Sequence, residues 1–368
     1  MEDNELVELS DFSEEDLAIE DEESSGLVSS SAGKNSRDSL LSGVPKNAWL
    51  YGVAIAVGLA LGSVSILCFP SRTPSVTLMR QPGLEDCLRS WTRDELRYKE
   101  RWQRYRDLRP DTEPKFKLDY IEPLWDCEVK DRVGRSPFGD GPKFMCDAEF
   151  SLKDPDCLVY SIGSNGDRSF EEAVLAINPQ CEVHTLDCTL NMSQPWLQRF
   201  VQEAPKVGFQ FHDSCLGRAE TSSNYKGVGN DKSVTLHEAM DYASRPRPIT
   251  HFKIDCEGCE YTSFFNELAD FDDSNPPFDQ LMIEVHVGRL GSVKTLFKLF
   301  DRLNQLGLRV FSKERNSWGC RGVLCAEYSL ISQRAAFRGH IYNQCPEYLP
   351  SLKQLCIEQG IAGCARFL

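Results

Sequence analysis

The sequence predicts an α/β fold: a doubly wound, mostly parallel sheet with a C-terminal β-hairpin, preceded by one transmembrane helix. Three observations carry this. Short apolar runs alternate with helical patterns between Cys157 and Gly307. A turn with two glycines, Gly163 and Gly166, separates the first run from its helix. The last two apolar runs, 308–315 and 322–331, have no helix between them, as in a hairpin.

At 368 residues and 41% apolar, the chain can bury one large core and carry appendages. The net charge of −15 is concentrated in residues 1–47, so the rest is only mildly acidic. With no basic excess to grip a phosphate backbone, nucleic acid is not expected as a partner. Residues 1–47 are rich in Glu, Asp and Ser and read as a disordered acidic tail.

Residues 48–69 hold no charge, with Trp49 and Tyr51 at one end. A run that long spans a bilayer as a helix; the other reading, a buried core helix, is seldom apolar on every face. The long acidic leader argues against a cleaved signal peptide, so the span reads as a signal-anchor. Lys46 lies closest to the span and favours a cytosolic N-terminus, although Lys34, Arg37 and Lys46 are matched by Arg72, Arg80 and Arg89 beyond it. All but Cys68 of the 15 cysteines follow the span, an even number that suggests an oxidising lumen and disulfides. Asn191-Met192-Ser193 is a glycosylation acceptor, usable only on that side.

Residues 70–145 read as a stem and N-terminal extension. Within them 92–109 is a charge-laced helix, with Thr92 at the cap and Pro110 past its end. Trp91, Leu96, Trp102 and Tyr105 can form one apolar side. The Gly/Pro-rich stretch 136–147 reads as a loop. Cys127, Cys146 and Cys157 bracket the region, so a disulfide there would pin it to the domain, with connectivity open.

The catalytic-type domain is expected over 146–331. Residues 157–187 form one βαβ unit: a run to Ile162, the glycine turn, a helix starting with a capping box at Ser169–Glu172, and a second run ending at Asp187. Glycines there let the backbone approach a ligand, and an acidic residue roughly 20 positions on can take ribose hydroxyls. Two glycines can equally serve sterics alone. Further strands are expected at 207–213, 249–258 and 278–287. A strong helix over 292–307 ends in Gly307, a good C-cap. Residues 332–368 read as a cysteine-containing extension.

Ionisable residues gather at the later strand ends. Lys253, Asp255 and Glu257 would share one strand face, followed by Glu260, and charge inside an apolar strand is costly unless paired or functional. The functional reading makes Asp255 or Glu257 a base or metal ligand; the other is an ion pair with Lys253. Glu284 and His286 repeat the pattern, His286 being either a base for a hydroxyl or a structural histidine. Asp255, Glu257 and Glu284 could also hold Mg²⁺. Cys256 and Cys259 lack a second CxxC, so buried thiols or a disulfide are expected, not zinc or redox chemistry.

The blocks LVYSIGSNGDRSFEEAV, HFKIDCEGCEY, QLMIEVHVG and CAEYSLI resemble those of class I S-adenosylmethionine-dependent methyltransferases, and more narrowly the FkbM-like group and the membrane-anchored methyltransferase-like protein 24 family. The resemblance implies a Rossmann-like fold with S-adenosylmethionine as cofactor. It places the turn of Gly163, Ser164, Gly166 and Asp167 under the methionine moiety, Asp187 on the ribose, Asp213 on the adenine amine and Asp255 facing the sulfonium. Ser161 stands where many class I enzymes have an acidic residue, and the turn is GxxG, not GxGxG. Taken together, the expectation is a type II membrane protein of the Golgi, or another secretory membrane, that methylates a glycan or small-molecule hydroxyl in the lumen, with Asp255, Glu257, His286 and Lys253 as catalytic candidates. Its rivals are an inactive, membrane-tethered binding module of the same fold, and a cytosolic enzyme methylating a protein or small molecule.

Overall fold

The alternation at 157–162 becomes a strand with two apolar faces. Leu158, Tyr160 and Ile162 enter one core, and Cys157 and Val159 enter the other. In this computed structural model the described residues are 82–350, except 111–116, 135–140, 218–231, 274, 289–290, 318–319 and 321–322. The predicted acidic tail and the span 48–69 lie outside them. Among the described residues no helix is long and apolar enough to cross a membrane.

The main sheet has seven strands. In chain order they are β3 (Leu158–Ile162), β4 (Glu182–Leu186), β5 (Gln210–His212), β8 (Ile249–Ile254), β9 (Phe278–His286), β10 (Leu308–Arg315) and β11 (Cys325–Ser332). Two short pairs lie apart: β1 (Lys130–Val133) with β2 (Lys143–Cys146), and β6 (Cys215–Leu216) with β7 (Ser233–Val234). Across the sheet the order is β10-β11-β9-β8-β3-β4-β5. From β9 to β5 every pair is parallel, and β11 runs antiparallel to both β9 and β10. The predicted hairpin is therefore present, with β11 inserted between β9 and β10. The order reverses on either side of β3, and in open α/β sheets ligands bind outside the strand carboxyl ends at such a point.

Helices cover both faces. On one side α2 (Ala148–Ser151), α3 (Ser169–Ile177) and α4 (Pro195–Val207) pack with Val159, Val183 and Met282. On the other, α5 (Leu236–Met240), a π-helical turn (Glu260–Phe264) continued by α6 (Phe265–Glu267), and α7 (Val293–Gln305) pack on Phe252, Leu281 and Ile283. Leu296, Leu299, Phe300 and Leu303 of α7 are fully or almost fully buried, each worth roughly 1.5–3 kcal/mol relative to exposure. Ser292 caps α7: its Oγ accepts from the Thr295 amide (3.1 Å), and its own amide donates to Thr295 Oγ1 (2.8 Å). Gly307 follows the helix at φ +86°, as its C-cap role requires.

Several expected boundaries move. The charge-laced helix, α1, runs Pro82–Asp107, so Thr92 lies inside it. This helix is laid on the domain. Glu95 pairs with Arg309 (2.6 Å), both buried, and Asp301 accepts both guanidinium bonds of Arg109 (2.6 and 2.8 Å). Leu96 is 56% exposed, so the apolar side is made by Trp91, Trp102 and Tyr105 with buried Tyr98. Ser169 is the first residue of α3, not its cap. Asp167 accepts from the Ser169 amide (2.9 Å), and Glu172 pairs with Arg168 (2.7 Å), so the expected capping box does not form. The third strand shrinks to β5 because α4 persists to Val207, and Gly208, at φ +114°, ends it. The stretch read as a loop contains β2 at its end, and α8 (Gln333–Gln344) follows β11 directly.

Every cysteine among the described residues is paired: Cys87 with Cys345, Cys127 with Cys146, Cys157 with Cys181, Cys188 with Cys215, Cys256 with Cys259, and Cys320 with Cys325. The first joins α1 to the end of α8.

Candidate active site

Three strand ends meet at the glycine turn. Gly163, Asn165 and Gly166 have φ of +77°, +47° and +75°. A Cβ on Gly163 would lie 1.7 Å from the Asp255 carbonyl oxygen, and one on Gly166 would lie 2.5 Å from the Trp196 ring. Glycine at both positions is thus required by close approach, to the end of β8 and to the start of α4.

Asp187, just past β4, is buried and holds this turn. Its Oδ2 accepts from the amides of Ser164 (3.0 Å) and Asn165 (2.8 Å) and from Ser164 Oγ (3.3 Å). Its Oδ1 accepts from Thr189 N (2.9 Å) and Oγ1 (2.7 Å). Both oxygens of the expected ribose ligand are therefore engaged by the chain itself. Lys253, buried in β8, donates to the Gly163 carbonyl (2.6 Å) and grips the turn from the other side. Asp167 precedes α3 and accepts from the Ser169 amide, as described. Asp213 is exposed beyond β5 and pairs with Lys232 (2.7 Å), not with the residues around the turn.

The expected face of Lys253, Asp255 and Glu257 is not continuous. The strand ends at Ile254, and Glu257 sits in the following turn at φ +53°. A non-glycine residue there stores roughly 1–3 kcal/mol of strain. The turn is bridged by Cys256–Cys259. The Glu257 side chain is 79% exposed at the mouth of the sheet.

His286, the last residue of β9, lies between two carboxylates. Its Nδ1 donates to Glu260 Oε1 (2.9 Å), and its Nε2 faces Glu257 Oε2 (3.2 Å). Glu260 is fully buried; its Oε1 also accepts the His286 amide (2.9 Å), and its Oε2 accepts the Gly258 amide (2.8 Å). Burial alone would lower the imidazole, but bonds to Glu257 and Glu260 outweigh it and push its pKa up to about 11. A pKa that high favours the imidazolium at neutral pH, which suits His286 as a partner of the two carboxylates. The same hydrogen bond holds Glu257 below the usual carboxylate range.

Deeper in, Asp255 Oδ2 accepts from Lys143 Nζ (3.1 Å). Lys143 is buried in β2 and also bonds Glu327 of β11. Glu284 of β9, opposite Glu327 in register, completes the group. The expected metal set of Asp255, Glu257 and Glu284 is therefore replaced: Glu327 takes the place of Glu257, which turns to His286. Burial would raise Asp255, but Lys143 and Lys253 outweigh it and hold the carboxyl well below its ordinary value. Burial, with Asp255 adding to it, pushes Glu284 up to about 9.

Sequence reasoning missed Lys143 and Glu327. Each is a lone charge in an apolar strand, the same signal that marked Lys253 and Glu284. For Lys143 the neighbouring Gly/Pro residues masked it; for Glu327 the surrounding run was read only for its hairpin.

Compared with known proteins, residues 87–332 match a family model described as a methyltransferase domain. No curated protein matches the sequence. Among solved structures, the chain is similar to the Methanococcus jannaschii fibrillarin pre-rRNA processing protein (10% identity, TM-score 0.31, covering 49% of this chain and 68% of that one). It is similar also to precorrin-6y C5,15-methyltransferase from Geobacter metallireducens (10%, 0.26, 50% and 86%) and to human methyltransferase 10 domain containing protein (11%, 0.30, 50% and 78%).

Proposed function

The chain belongs to the methyltransferase-domain family and has the sheet order of the class I S-adenosylmethionine-dependent fold, and from that premise we propose that it transfers a methyl group from S-adenosylmethionine to a hydroxyl of a glycan or small molecule. The observation that carries this is the Gly163–Asn165–Gly166 turn, set where β3, β4 and β8 end and held open by Asp187 and Lys253. A cradle that any Cβ at Gly163 would fill suits close approach of a ligand to backbone. The bound cofactor supplies an electrophilic methyl group, already activated by its positive sulfur.

The residues of the chain then have distinct tasks. Ser164 and Asp167 shape the turn with the two glycines, and Asp187 fixes it through its amides. Asp213 lies at the end of β5, where an adenine amine would need an acceptor, with Lys232 as its present partner. Asp255 carries negative charge beside the turn, where a sulfonium is favoured. Glu257 is the exposed carboxylate at the mouth and accepts the hydroxyl proton. His286 and Lys253 are positioning residues, one for Glu257 and one for the turn. Most of the protein's contribution is orientation of two reactants.

The lumenal, type II placement in a Golgi or other secretory membrane belongs to the same proposal, as does the narrower FkbM-like kinship. Six disulfides support an oxidising compartment, and the uncharged stretch 48–69 supports the anchor. Asn191 is exposed, and its Oδ1 accepts from Ser193 Oγ (2.7 Å), so acceptor amide and hydroxyl are already in contact. A second reading, an inactive binding module of this fold, is favoured by the full engagement of Asp187.

Titration calorimetry of the full chain in detergent with S-adenosylmethionine separates the two readings, followed by a methyl-acceptor screen on glycans. Saturable 1:1 binding with turnover on a hydroxyl acceptor is expected. No heat from a folded chain would end the enzyme reading and leave the module.

A further inference from the structure

Three carboxylates from three neighbouring strands gather beside one ammonium, which bonds two of them, Asp255 and Glu327, while Glu284 accepts from Asn316 (2.9 Å). Asp255 follows β8, Glu284 lies in β9 and Glu327 lies in β11. One oxygen from each falls within 4.8 Å of the others, a spacing at which oxygen ligands surround a divalent ion. Lys143 reaches this place from β2, a strand that among the described residues pairs only with β1 and packs over β9 and β11. Its side chain is 1% exposed, and its Nζ bonds Asp255 and Glu327. A lysine is almost never buried this far unless paired. The carboxylates would in turn repel one another without a cation among them.

We propose that Lys143 is a tethered cation standing where a divalent metal would otherwise bridge Asp255, Glu284 and Glu327, and that it is the positioning residue which holds this group together. A single ammonium brings one positive charge where a divalent ion brings two. It bonds Asp255 and Glu327 directly, and Glu284 stays beside them through Asn316. A resident ammonium also needs no metal supply, and it fixes Asp255 against the Gly163 turn at all times. That last consequence rests on the methyl-transfer reading; the cation assignment itself does not.

The test is a Mn²⁺ titration of the full chain in detergent, following the electron spin resonance signal of free Mn²⁺. The parent should leave Mn²⁺ free. Lys143→Met should take up one equivalent, and adding Glu284→Gln should abolish that uptake. The unfolding midpoint of Lys143→Met should rise with Mn²⁺ while that of the parent stays fixed. If the variant does not fold without metal, recovery of its fold on adding Mn²⁺ is the same result. Stoichiometric uptake by the parent that is lost in Glu284→Gln, or a Lys143→Met chain that gains neither Mn²⁺ nor stability, overturns the proposal. No turnover is needed, so failure of the methyltransferase reading would leave the metal result standing.

Discussion

Glu257 and His286 face each other across the mouth of the sheet, Oε2 to Nε2 at 3.2 Å, and this pairing decides which of them can receive a proton. The imidazole is doubly clamped and charged, whereas the carboxylate is ionised and open to solvent.

Glu257→Gln should therefore lower turnover by about 10²–10⁴-fold with cofactor affinity nearly unchanged. The parent pH–rate profile should lack an ascending limb near an ordinary histidine value. Full turnover in a folded Glu257→Gln chain would remove Glu257 as the base.

The His286 clamp also links stability to pH. Its folded pKa, about 11, lies above the unfolded value, so its contribution is complete below roughly pH 6.5 and declines as pH rises toward 11. His286→Ala leaves the fully buried Glu260 without its cation and should cost about 3–5 kcal/mol. Denaturant unfolding of both chains between pH 6 and 10 measures this. The gap between parent and variant should narrow with rising pH, and a constant gap would refute the clamp.

Asp187→Ala removes an anion bonded by three backbone amides. Charge-assisted bonds are worth roughly 1.5–3 kcal/mol, so S-adenosylmethionine binding should weaken by about 10- to 150-fold. Amide exchange at Ser164 and Asn165 should quicken in the same variant. Weakened binding with unchanged exchange would mean that Asp187 touches the ligand directly instead of fixing the turn.

Gly163→Ala places a methyl group 1.7 Å from the Asp255 carbonyl oxygen at a φ of +77°. Backbone strain alone costs about 1–3 kcal/mol, and the clash forces β3 and β8 apart. Cofactor binding should be lost even where the chain stays folded. A variant that binds normally would show that the turn is not the cradle.

For the lumenal placement, protease added to sealed microsomes should trim residues 1–47 and spare everything beyond Arg72. Asn191→Gln and Ser193→Ala should each remove the same glycan, seen as a mobility shift on amidase treatment. Digestion of the large domain in intact vesicles would refute the orientation.

Much of the fold was legible because apolar periodicity is a local property. β3, β4, β8, β9 and α7 all lie close to their expected bounds, and the missing helix between 315 and 325 announced the hairpin. Where tertiary contact outweighed local signal, the reading slipped. Thr92 looks like a cap yet lies within α1, which is tied to the domain through Glu95 and Arg309. Ser169 looks like a cap yet is the first residue of α3, and its amide bonds Asp167. At the site, residue types near strand ends were found, but their partners were not. Lys143 and Asp255 are 112 positions apart, and no local spacing announces that they touch.

The placement of β11 between β9 and β10 has a consequence for synthesis. β10 leaves the ribosome before β11 but has no other neighbour in the sheet, so it must wait unpaired until residue 332 has emerged. Until then β9 is an edge strand, and its backbone amides and carbonyls that β11 will bond are unpaired. A nascent chain cut short anywhere in this interval would carry a nearly complete sheet with an exposed border, the kind of surface that pairs with other chains. Quality control during biogenesis would therefore bear most heavily on truncations between about residues 286 and 332.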